Sequence, residues 1–152
     1  MADRYGYRGF ENDTELQKKK EVREAIRAGE AALDYLREAR EALDSAGNWG
    51  LLDIFGGNFL SGMMKHSRID DAKQAMTNAK RALDSFRREL QDVNEPEISL
   101  GIDNFVTFAD FFFDGILVDV LVQSKISKAK EQVDDAGRRV TEMLRELRRL
   151  NG

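Results

Sequence analysis

The chain has 152 residues, of which 41% are hydrophobic and 34% charged, with one proline and no cysteine. That size suits one domain, and the composition excludes a disulfide scaffold, thiol redox chemistry, a cysteine-based zinc site and low-complexity disorder. The 24 Lys and Arg against 28 Asp and Glu disfavour a general nucleic-acid binder. From Glu89 to Ser124 there are eight acidic residues and no Lys or Arg, a stretch that repels a phosphate backbone.

Residues 1–12 carry Tyr5, Tyr7 and Phe10 among Gly6 and Gly9 without a regular period, and read as a flexible tail ahead of a single domain, 13–152. Thr14 with Gln17 matches a capping box. Val22, Ile26, Gly29, Leu33, Leu36, Arg40 and Leu43 then alternate spacings of four and three, with Ala39 able to share the place of Arg40. This heptad seam predicts a helix over about 14–46 that ends near Gly47-Asn48.

Residues 49–65 are apolar and broken by Gly56-Gly57. They read as short helices plugging one end of the molecule. No strand precedes the glycine pair and no Lys-Ser/Thr follows it, so it is not a phosphate loop. Trp49, Phe55 and Phe59, followed by Lys65 and Arg68, also make this segment a candidate for partner or membrane-surface contact.

Ser67 reads as the N-cap of a second helix, whose seam Ile69, Ala72, Met76, Ala79, Leu83, Phe86, Leu90 and Val93 keeps three-four spacing throughout. Pro96 stops it. A third helix is predicted over 104–122, apolar nearly all round except for the stripe Asp103, Thr107, Asp110 and Asp114. The last helix, 124–150, has the seam Ile126, Ala129, Val133, Ala136, Val140, Met143, Leu147 and Leu150.

Adding 57 to each number lays 49–90 over 106–147 with twelve of 42 positions identical, among them Ser67/Ser124, Ile69/Ile126 and Asp53/Asp110. The pattern predicts an internal two-fold repeat, about 49–93 and 106–150. The fold expected is all-α: an antiparallel up-down-up-down helical bundle with coiled-coil-like seams.

His66 is the sole histidine. A carboxylate-bridged di-iron bundle needs two Glu-x-x-His motifs, and Met63 stands where the first glutamate would be. The metal-ligand candidates are therefore Asp53, His66, Asp110 and Asp114, suited to a hard cation, with a solvated helix face as the plainer reading of the aspartates. No catalytic set emerges and no cofactor is implied. The function expected is a non-enzymatic interaction or scaffold protein of the cytoplasm, with a protein partner or a second copy held by leftover heptad surface on the long helices. The alternatives are a small-ligand or metal-binding bundle using the Asp/His groups, and a peripheral membrane protein acting through 49–65. The longest uncharged run, Ile54 to Met64, is too short to span a bilayer.

Overall fold

The computed structural model describes the backbone of residues 2–56, 59–115 and 123–151, and the side chains of 14–47, 68–112 and 125–151. Among the described residues there are four α-helices and no strand: α1 Ala2–Gly56, α2 Phe59–Asp92, α3 Ser99–Gly115 and α4 Gln123–Asn151. A 3-10 turn, Pro96–Ile98, links α2 to α3. At 1.5 Å per residue α1 is about 80 Å long, α2 about 50 Å, α4 about 45 Å and α3 about 25 Å.

The expected helices are present in the described chain, but several boundaries differ from expectation. α1 begins at Ala2 rather than at Thr14, so the segment read as a tail is helical in backbone. It also continues through Gly47-Asn48 to Gly56. An interior glycine costs a helix about 1 kcal/mol relative to alanine, which is not enough to break one held by packing. At Gly47 a Cβ would lie 3.2 Å from Lys130 Nζ, the mobile end of its side chain, and 3.6 Å from Ile126 Cγ2, so α4 packs beside this turn at ordinary contact. α2 starts at Phe59, leaving Ser67 inside it rather than at its cap. Pro96 does end the run: α2 stops at Asp92 and the proline occupies the first turn of the 3-10 segment.

Contacts between helices run in opposite numerical order. Arg68 donates to Ser45, while Phe86 meets Gly29, so α2 lies antiparallel to α1. Lys130 pairs with Asp44 at 3.1 Å, Arg40 with Asp134 at 3.0 Å and Arg148 with Glu30 at 3.1 Å, so α4 is antiparallel to α1 as well. The short α3 lies against both α2 and α4. Phe105 meets Phe86 edge-on at 5.1 Å, and Arg139 stacks on the Phe108 ring at 4.5 Å.

The interior is apolar, and among the described residues no polar or charged side chain is buried. The seams of α2 and α4 supply it much as their spacing predicts: Ala72 to Val93 and Ile126 to Leu147 are buried, with Ile69 and Leu150 half-buried at the ends. In α1 the seam is offset from its reading. Val22, Gly29, Leu36 and Leu43 are inside, but the alternate positions are Ala25, Ala32, Ala39 and Ala46, while Ile26, Leu33 and Arg40 sit half-buried at the edges. Small side chains face inward because α1 packs on two helices at once and must approach both closely.

Candidate functional site

Most residues singled out from the sequence fall where side chains are outside the described set. Trp49, Asp53 and Phe55 belong to α1, Phe59 and His66 to α2, and Asp114 to α3; their side-chain surroundings lie outside the described residues. Asp110 is described. It is exposed, and it accepts a hydrogen bond from Arg87 at 2.5 Å. Arg87 also holds Asp84, so Asp110 ties α3 to α2 through a shared guanidinium. Thr107, of the same polar stripe, donates to the carbonyl of Asp103 at 3.0 Å, and both are exposed.

A second acidic group was not legible as a cluster, because it joins residues far apart in the chain. Glu21 and Glu24 on α1 and Glu89 on α2 are half-buried, with carboxylate oxygens within 4.8 Å of one another. Burial raises the Glu89 pKa, and the charges of Glu24, Asp92 and Glu21 push it further the same way. Lys20, 3.9 Å from Glu24, offsets part of this charge, and Gln17 donates a hydrogen bond to Glu21 at 2.6 Å.

A groove lies between α1 and α4, and it has a structural cause. Along this edge α1 presents Glu30, Leu33, Arg37, Arg40 and Asp44, and α4 presents Lys130, Asp134, Gly137, Thr141 and Arg148. Ion pairs join the helices at both ends, through Asp44–Lys130 and Arg40–Asp134 at one and Glu30–Arg148 at the other. Burial alone would raise the Asp44 carboxyl, but the hydrogen bond from Lys130 together with the charge and hydrogen bond of Arg40 outweighs it, and the pKa is lowered.

Between these pairs the ladder is interrupted. Gly137 has no side chain, and a Cβ there would meet nothing within 4 Å. The result is a groove of about 510 Å³ with Leu33, Leu36 and Val133 in its lining and a rim of mixed charge, Arg37, Arg138 and Arg145 beside Asp134 and Glu142. Two rim arginines are only loosely engaged. Arg37 lies 3.5 Å from Asp34 and Arg138 lies 3.4 Å from Asp135, pairs in which both arginines are about 70% exposed, and such contacts contribute little. Arg145 is exposed and makes no ion pair among the described residues.

On the far side of α4 stands α3. Its inner face buries Ile102, Phe105, Ala109 and Phe112. Its outward line is Leu100, Asp103, Asn104, Thr107 and Phe111, all exposed. Leu100 is 74% exposed and Phe111 73%, the two most exposed large hydrophobic side chains among the described residues. No helix of the described chain is long and apolar enough to cross a membrane. No protein-family model, curated protein or solved structure matches this sequence.

Proposed function

We propose that this chain is a non-enzymatic interaction protein, an antiparallel up-down-up-down helical bundle whose work is to bind another polypeptide, with a second copy as the leading partner. The observation that carries the reading is the outward line of α3. Two large apolar groups three helical turns apart face solvent there, where a helix with no further partner would present charge. The internal repeat belongs to the same reading. Positions of α2 and α4 related by 57 serve alike, as in Ala72/Ala129, Ala79/Ala136 and Leu90/Leu147, each buried in the interior. Two helical hairpins of one ancestral type would then pack together, and the outer surfaces of such a unit are left for contact.

Light scattering coupled to size exclusion tests this. The purified chain is expected to have a mass above the 17.3 kDa of one copy at micromolar concentration. The double variant Leu100→Ser with Phe111→Ser is expected to shift toward the single-copy mass while keeping a cooperative melting transition. A single-copy mass for the unaltered chain across the whole concentration range would count against a second copy as the partner.

A further inference from the structure

We infer that copies of this chain assemble in open rows, the outward line of α3 on each copy seated on the outward line of α1 on the next. The inference rests on the reading of the chain as self-associating, and it adds the two surfaces and the symmetry.

The packing sets these two lines back to back. α1 lies against α2 and α4, and α3 lies against the same two helices, so α1 and α3 stand diagonally across the fold. Each is antiparallel to α4: Gly101 and Phe108 of α3 meet Met143 and Arg139, while Glu30 and Arg40 of α1 meet Arg148 and Asp134. α1 and α3 therefore point the same way. They also share a level, because Phe86 meets Phe105 edge-on and stands against Gly29.

The charges left unmatched on the two lines have opposite sign. From residue 23 to 35 the exposed residues of α1 are Arg23, Arg27, Glu30, Ala31, Asp34 and Tyr35. Glu30 pairs with Arg148 and Asp34 lies near Arg37, whereas Arg23 and Arg27 make no ion pair among the described residues. On α3 no Lys or Arg occurs; Asp110 is held by Arg87, and Asp103 makes no ion pair among the described residues. With residue 29 level with 105, Asp103 comes beside Arg27, Leu100 beside the aliphatic stem of Arg23, and Phe111 beside Tyr35, itself 40% exposed. Packing α3 on α3, or α1 on α1, would instead set like charges together with nothing to offset them.

Shifting a copy sideways, without turning it over, places its α3 on the α1 of the next. Such a head-to-tail contact does not close on itself, so every row keeps a free α1 line at one end and a free α3 line at the other. The strip in contact is about 18 Å long and one helix wide, at the small end of specific interfaces, and rows therefore lengthen with concentration.

Two one-sided variants test this in light scattering. Arg23→Glu with Arg27→Glu disables the α1 line alone, and Leu100→Ser with Phe111→Ser disables the α3 line alone. The unaltered chain is expected to grow in mass with concentration, past two copies. At the same concentrations each variant by itself is expected at the single-copy mass, and their equimolar mixture at up to twice that mass and no more. The arginine variant should associate about a hundredfold more weakly, about tenfold per reversed charge, and Asp103→Arg in the same chain should restore most of the loss. All these residues are exposed, and cooperative melts verify folding. A mixture that stays at the single-copy mass, either variant growing as the unaltered chain does, or an unaltered chain that stops at two copies overturns the row while leaving self-association standing. A single-copy mass for the unaltered chain removes both.

Discussion

Two glycines show how differently one residue type can serve. Gly29 lies where α1, α2 and α4 meet, and a Cβ there would stand 2.6 Å from Leu144 Cδ2 and 2.9 Å from Phe86 Cε1. Both neighbours are fully buried and have nowhere to retreat. Gly29→Ala is expected to cost about 1–2 kcal/mol in urea unfolding, overpacking outweighing the gain in helix propensity. Gly137→Ala meets nothing and should instead stabilise by up to about 1 kcal/mol. The same denaturation curves check both, and equal shifts would contradict the packing at Gly29.

Two carboxylates give the chain opposite responses to acid. Asp44, its pKa lowered by Lys130 and Arg40 against the effect of burial, adds stability above the ordinary aspartate value of about 3.9 that is lost as pH falls through its own lower value. Glu89, its pKa raised by burial and by Glu24, Asp92 and Glu21, costs stability once ionised, and that cost is absent below the ordinary glutamate value of about 4.3. Asp44→Asn is therefore expected to lower the melting temperature at pH 7 and to lower it less as pH falls below the ordinary aspartate value. Glu89→Gln should raise it at pH 7, with the gain vanishing in acid. Melts at pH 7 and in acid separate these cases.

At the scale of elements, α3 divides into a face that holds the fold and a face that does not. Phe105 is buried against Phe86, so Phe105→Ala is expected to cost about 3–5 kcal/mol. Phe111, exposed, should cost under about 0.5 kcal/mol as Phe111→Ser, and chemical denaturation of the two variants under conditions that keep one copy per particle makes the comparison. The seams of α2 and α4 were legible because large apolar groups mark their inward positions. In α1 large groups mark only half of them. Alanines fill the rest, and since alanine is common on any helix face, Ile26, Leu33 and Arg40 drew the line to the wrong edge. Boundaries failed for a related reason. Thr14-Gln17 and Ser67 resemble caps locally, but caps form only where the chain leaves helical geometry, and here the helix runs on. The groove was illegible because it follows from a missing side chain at Gly137 facing a residue about a hundred positions away. The exposed stripe Asp103, Thr107 and Asp110 was readable from spacing alone, whereas the tie from Asp110 to Arg87 needed the packing of α3 on α2.

For the molecule as a whole, unequal helix lengths matter as much as the seams. The contact of Glu21 and Glu24 with Glu89 marks where α2 leaves α1, and Arg148 on Glu30 marks the corresponding place for α4. N-terminal to that level residues 14–17, 19 and 20 of α1 are exposed, Leu16 among them. An exposed helical stretch gains little from tertiary packing and is marginal in water. Lys18, Lys19 and Lys20 sit in it. Brief digestion with trypsin should therefore cut there well before it cuts at Arg37 or Lys80, and mass spectrometry would find a truncated product whose unfolding transition matches that of the intact chain.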